Sequence, residues 1–228
     1  MFRNKAAKNQ SIKGQWPLIL AFGIAGLITI GSVIYKPTIS SEEITSKDKE
    51  DFFVDDLVYT GNIDAPVIVI EFADPLCPGC KSFFENTEPE LKTLYIDKGL
   101  IKFYHWPMTF FETSIAPWEA MYCAAEQGKY QEYRHYLLSI PREAGTFAEH
   151  ERNEYINFAK SIGLNIESFN DCFAGGKYYE WIKSKDQERL DRNITISPIV
   201  FVDGQMANSG GAEDVFSEID RALIKKGF

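Results

Sequence analysis

Apolar residues recur along this chain with two periods, and the switch between them marks its elements. Val67-Ile68-Val69-Ile70-Glu71-Phe72, entered from Pro66, is short, β-branched and almost wholly apolar, the pattern of a central strand covered on both faces. Ile101 to Trp106 reads as a second strand and Ile199 to Val202 as a third, which Asp203-Gly204 turns into a hairpin with Met206-Ala207-Asn208. Asp55 to Thr60 reads as a short edge strand ahead of a Gly61-Asn62 turn. Elsewhere the period is that of a helix. One helix begins near Lys81, turns Phe83, Phe84 and Leu91 toward a core, and should break at Pro89. Pro117 to Gln127, Tyr130 to Ile140, Phe147 to Ile162 and Ile166 to Ala174 follow as successive helices, with another near Asp186 to Ile194. Ala212 to Lys226 closes the chain as an amphipathic helix with Val215, Ile219 and Leu223 on one face. The helical aromatics Trp118, Tyr122, Tyr130, Tyr133, Tyr136, Phe158 and Tyr178 are expected in the core.

The amino end follows neither period. Trp16 to Tyr35 carries no charge and shows no polar face, so residues 17–35 are read as a transmembrane anchor. The four basic groups Arg3, Lys5, Lys8 and Lys13 before it, with no acidic residue among the first sixteen, place residues 1–16 in the cytoplasm and the remainder outside. A cleaved signal peptide shares this basic-then-apolar pattern, but the apolar run is long and lacks an A-x-A-like site, so an uncleaved anchor in the cytoplasmic membrane is expected. Residues 36–52, rich in Ser, Thr, Glu, Lys and Asp, read as a flexible stalk. The net charge is -9. Setting aside the first sixteen residues leaves 20 basic against 33 acidic groups, which argues against nucleic-acid binding and against adhesion of the folded part to anionic lipid.

The chemistry lies in Cys77-Pro78-Gly79-Cys80, placed where the central strand gives way to a helix. A cysteine opening a helix meets unpaired N–H groups and the positive end of the dipole, so Cys77 should be the acidic, exposed nucleophile. Pro78 suits the first helical position, and Cys80, one turn further in, should be the shielded resolving thiol. A zinc knuckle would need a second Cys or His pair at ligand spacing, and a c-type haem would need His where Lys81 stands; no metal and no cofactor is expected. Cys123 and Cys172 fall within separate helices. Outside the cytoplasm a local Cys77-Cys80 couple plus a structural Cys123–Cys172 bridge is the least contrived pairing, against two buried thiols packed as small apolar residues. Glu71 is the odd member of its strand, either reaching solvent or acting as a buried acid that exchanges a proton with Cys80. His105 reads as a hydrogen-bonded strand residue and not as a base.

From about residue 54 to 228 the chain resembles the thioredoxin superfamily, and more closely its DsbA-like branch. The resemblance rests on Pro78 directly after Cys77, on Glu71 six residues ahead of Cys77, and on Ser197-Pro198 before the third strand. It implies an α/β thioredoxin-like fold over residues 53–228, with a core of 53–108 and 187–228 and a helical insertion of 109–186. It also implies a cis Pro198, beside which Ser197 would receive an extended substrate peptide. The activity implied is that of a membrane-tethered thiol:disulfide oxidoreductase donating the Cys77-Cys80 disulfide to exported proteins, with reoxidation by a quinone-linked membrane partner of the DsbB type. Two departures stand out: Phe103 occupies the strand position where the branch often carries a lysine near the buried acid, and Gly79 replaces the histidine of its best-known member. A reductase or isomerase, and a non-enzymatic module that uses the thiols to bind a metal or a partner, are the alternatives.

Overall fold

Glu71 lies in β2 (Val67–Ala73), the middle strand of a five-stranded sheet with β1 (Tyr59–Gly61), β3 (Ile101–Pro107), β4 (Ile199–Val202) and β5 (Gln205–Ala207), in the order β1-β3-β2-β4-β5. The computed structural model describes residues 54–141, 150–207 and 211–228. The tail, the anchor and the stalk read from the sequence all lie outside these. Among the described residues no helix is long and apolar enough to cross a membrane. β2 and β3 run parallel, which sets Glu71 opposite His105, and the other pairs are antiparallel. The β4–β5 hairpin turns on Asp203 and Gly204, both at positive φ (45° and 78°), as a two-residue turn matched to strand twist requires. The edge strand is shorter than the sequence reading, beginning at Tyr59 and not at Asp55.

The period of two sorts each strand between two cores. Val67, Val69, Phe103, Val200 and Val202 face Leu91, Val215, Ile219 and Leu223, while Ile70, Phe72, Tyr104, Trp106 and Phe201 pack on the opposite side. The last helix, α8 (Ala212–Lys226), covers the first of these faces with the three residues its pattern singles out. α1 (Pro78–Asn86) breaks at Thr87 before the short α2 (Glu88–Leu91) and the π-helical turn Lys92–Ile96. Pro89 thereby sits in the first turn of α2, where its missing N–H leaves no carbonyl unmatched.

Among the described residues, five helices form the insertion and its return: α3 (Ile115–Ala125), α4 (Tyr130–Ser139), α5 (Arg152–Ser161), α6 (Ile166–Ala174) and α7 (Tyr179–Asp191). Trp118, Tyr122, Tyr130, Tyr133 and Phe158 are buried in a third core, whereas Tyr136 is 37% exposed. α5 starts at Arg152 because Glu151 and Glu154 form a reciprocal capping box there; the earlier start at Phe147 falls outside the described residues. α7 begins at Tyr179, so the 186/187 boundary read from the sequence falls inside a helix. The cause is one continuous buried face: Ile182 packs in the helical core, and three residues on, the Lys185 carbonyl accepts the Trp106 indole N–H at 3.0 Å. Cys123 on α3 and Cys172 on α6 are joined by a disulfide, Cα to Cα 5.8 Å, across 49 residues of chain.

A loop of that length lowers the entropy of the unfolded chain substantially. Replacing both cysteines (Cys123→Ala with Cys172→Ala) is expected to reduce the stability of the folded domain by roughly 2 to 5 kcal/mol, read from urea unfolding, with a steeper slope because the unfolded chain is then free to open.

Candidate active site

α1 opens on the first cysteine. Cys77 is its N-cap, with extended backbone (φ −68°, ψ 129°), Pro78 follows in the first turn, and the Cys77 carbonyl accepts the Lys81 N–H at 3.1 Å. The Gly79 and Cys80 N–H groups, which have no helical carbonyl to meet, are left for the Cys77 sulfur. Its pKa falls from 9.0 to about 6. A hydrogen bond from the Cys80 side chain is the main cause, the two backbone N–H groups add to it, and burial opposes it. Cys80 moves the other way, well above its ordinary value, first because it is buried and then because its hydrogen bond favours the Cys77 thiolate. The two sulfurs are not joined.

Cys77 is only 9% exposed, less open than its place at a helix start implies. The Ser197 carbonyl lies 3.7 Å from its sulfur, and the Pro198 ring closes over Gly79, where a Cβ would come within 2.9 Å of Pro198 Cδ. The Ser197-Pro198 peptide is cis. Ser197 also does something its sequence position did not reveal: its Oγ stands 2.8 Å from Cys80 Sγ and 3.4 Å from the Phe72 carbonyl. The backbone N–H of Asp74 approaches Cys80 Sγ at 3.4 Å.

Asp74 is a second residue missed from the sequence. It is fully buried, and its carboxylate accepts the Leu76 N–H (2.8 Å), the Phe110 N–H (2.9 Å) and the Ser114 hydroxyl (2.7 Å). Burial raises its pKa and these three bonds hold it back. The loop that presents Cys77 is thus fastened to the first turn of the insertion. The only signal in the sequence was an acidic residue between two apolar ones, three positions before a reactive cysteine.

Beneath the cysteines lies a buried ionic cluster. Glu71 is 0% exposed, and its pKa is pushed up to about 8, mainly by burial, with the Glu88 charge adding and Arg134 opposing. Arg134 of α4 stands 3.4 Å from Glu71 Oε2 and holds Glu88 with bonds of 2.8 and 2.5 Å. The cation near the buried acid therefore comes from the insertion. The strand itself puts Phe103 on that side, its ring 4.7 Å from that of His105. Arg134 was legible only as a charge on the same helix face as Tyr130 and Leu137. His105, expected to be satisfied in the sheet, is 1% exposed with neither ring nitrogen hydrogen-bonded. Its Nε2 lies 3.8 Å from Glu71 and 4.0 Å from Glu88, and burial together with Arg134 keeps the ring neutral. Glu71, Glu88 and His105 bring ligand-type atoms within 4.8 Å of one another, but the cation among them is a guanidinium that a metal ion would have to displace.

The arrangement sets an acidic thiol, backed by N–H donors, against a suppressed one over a protonatable carboxyl, which is what thiol:disulfide exchange requires. The Cys77 thiolate should titrate near pH 6 by ultraviolet thiolate absorbance, and Cys80→Ala should raise that midpoint toward 9 by removing the main donor. Because the folded pKa lies below the unfolded one, thiolate stabilisation of the reduced fold is complete above about pH 9 and lost as pH falls through about 6. The reduced protein should therefore gain stability on the oxidised protein as pH rises across that window, as thermal unfolding of both forms will show.

The family model for thioredoxin matches residues 54–221. The chain is 28% identical over 212 residues to a Bacillus anthracis protein called "probable disulfide bond formation protein D", spanning 91% of this chain and 94% of that one. Among solved structures it is similar to oxidised BdbD from Bacillus subtilis (TM-score 0.68, 20% identity, 75% of this chain and 95% of that one). Chlamydia trachomatis DsbA is similar as well (0.64, 17%, 75% and 93%). With the cysteine pair at a helix start, the cis Pro198 beside it and the family match over residues 54–221, the chain belongs to the thioredoxin family; its relatives are called disulfide bond formation proteins and protein-disulfide oxidoreductases, and its fold is that of DsbA.

Proposed function

We propose that this thiol:disulfide oxidoreductase works as a dithiol oxidase on exported proteins, held at the outer face of the cytoplasmic membrane by residues 17–35. The observation that supports the direction is the inequality of its thiols. A Cys77 held as thiolate makes the reduced enzyme the favoured product and Cys77 a good leaving group, so the disulfide passes readily to a partner. A substrate thiolate attacks Cys77 Sγ, the Cys77–Cys80 bond breaks, and its electron pair leaves on Cys80. A second substrate thiolate then attacks the substrate sulfur of the mixed disulfide and releases Cys77. The substrate has lost two electrons and the enzyme has gained them.

Substrate binding is assigned to the edge formed by Ser197 and Pro198, which borders Cys77. Ile196, Phe110 and Phe111 are exposed apolar side chains on segments joined to this site, which suits an unfolded chain with apolar stretches. The basic head and acidic domain support the orientation, and oxidising surroundings fit a chain that itself holds the Cys123–Cys172 bridge. Reoxidation is assigned to a quinone-linked membrane protein of the DsbB type, on the resemblance.

The reduction potential of the Cys77–Cys80 couple, measured on the full-length chain by equilibration with glutathione buffers and alkylation of the remaining thiols, decides the direction. A value near about −120 mV is expected; one near about −270 mV would make the protein a reductase.

A further inference from the structure

A carboxyl that protonates the departing Cys80 sulfur must recover its proton in every cycle, and Glu71 has no surface of its own through which to do so. Next to it lies a cavity of about 770 Å³ lined by residues of α1, α2, β3 and α4, among them Phe84, Glu88, Phe103, His105, Arg134 and Tyr136. Glu71 does not line this cavity; His105 and Glu88 do. Between them stands His105 Nε2, 3.8 Å from Glu71 Oε2 and 4.0 Å from Glu88 Oε1, with no hydrogen bond to hold it to either. A fully buried imidazole without a partner on either nitrogen is costly, and its place between an enclosed acid and a cavity-lining carboxylate gives that cost a use.

We propose that His105 is a proton-relay residue connecting Glu71 with water in this cavity, so that the buried acid is recharged through the space between the sheet and α1, α2 and α4. The inference rests on the thiol:disulfide exchange reading. As the Cys77–Cys80 bond breaks, the Cys80 thiolate takes the Glu71 proton. A hydronium or buffer acid in the cavity then protonates the neutral imidazole, and its conjugate base returns to solvent. A small rotation of the ring passes that proton to the Glu71 carboxylate and restores neutral His105. Reoxidation of the enzyme runs the same path outward. The groups that face the pair are Cys77 and Cys80 from α1, Glu88 from α2, and Tyr130 and Arg134 from α4. Burial first, and the Arg134 charge after it, keep the imidazole neutral at rest.

The test compares the wild-type chain with His105→Phe, which keeps a ring and removes both nitrogens, and with His105→Ala. Steady-state oxidation of a dithiol peptide, with a small-molecule disulfide present to reoxidise the enzyme, gives the cycling rate, in which Glu71 must be recharged, and glutathione equilibration gives the potential. The relay predicts a rate lower by about a hundredfold, in the range of a lost general acid, with the potential unchanged. It also predicts that imidazole, small enough for the cavity, restores His105→Ala while leaving the wild type unaffected. Gln131→Trp, which narrows the cavity from its lining without touching the cluster, should slow the wild type as well. Full speed in His105→Phe, or a slow, folded His105→Ala that imidazole does not rescue, would overturn the relay. Should His105→Ala fail to fold, His105→Phe and Gln131→Trp still decide. A wild type without any exchange activity would sink the exchange reading itself, which is a separate outcome.

Discussion

A carboxyl group enclosed in the middle strand of a sheet is tolerated in two ways, by keeping its proton or by meeting a cation, and Glu71 uses both. Burial pushes its pKa to about 8, while Arg134 stands 3.4 Å away. Arg134 is in turn held by Glu88 at 2.8 and 2.5 Å, so removing the guanidinium would leave that carboxylate without its cation beside an enclosed acid. Because Arg134 belongs to α4, the helical insertion is bound to the sheet by an interaction neither part can give up alone. The placement of α4 then carries through Tyr133 and Tyr155, whose hydroxyl–carbonyl bond joins α4 to α5, and through the Cys123–Cys172 bridge that ties α3 to α6.

Above this anchor, three short-range devices make two identical side chains chemically opposite. The start of α1 gives Cys77 the N–H groups that a thiolate needs. Enclosure withholds water from Cys80, where the Ser197 hydroxyl and the Asp74 N–H are its polar company. Asp74 fixes the segment that leads into Cys77 and ties it to the insertion's first turn. The tetrapeptide supplies the donors that hold the Cys77 thiolate, and the surroundings supply the burial that suppresses Cys80.

Local pattern revealed what local pattern determines. The strands of the sheet centre, the hairpin at Asp203-Gly204 and the closing helix with Val215, Ile219 and Leu223 inward follow from residues adjacent in the chain, and the cysteine pair announces itself by spacing. What escaped depends on partners distant in sequence. Arg134 meets Glu71 across 63 residues, the Ser197 hydroxyl meets Cys80 across 117, and the Asp74 carboxylate meets Ser114 across 40. The chain does not declare such meetings, since a polar residue on a buried helix face reads the same with or without its counterpart. Cys77 was expected to be exposed for the same reason: its cover comes from a loop 120 residues away. The helix start shows in sequence; the lid over it does not.

Gly79 carries a consequence for how such a protein can diverge. In a C-x-x-C couple the two intervening residues are the obvious positions at which substitution could retune chemistry, since both lie beside the sulfurs. Here the second is constrained by packing: a Cβ would come within 2.9 Å of Pro198 Cδ, so any side chain needs the facing loop to give way. The histidine of the best-known relative cannot simply be exchanged for this glycine while the opposing loop stays put. A lineage with this arrangement can alter its redox character at Pro78, at Ser197 or in the ionic cluster below, and position 79 can vary only together with the loop that faces it.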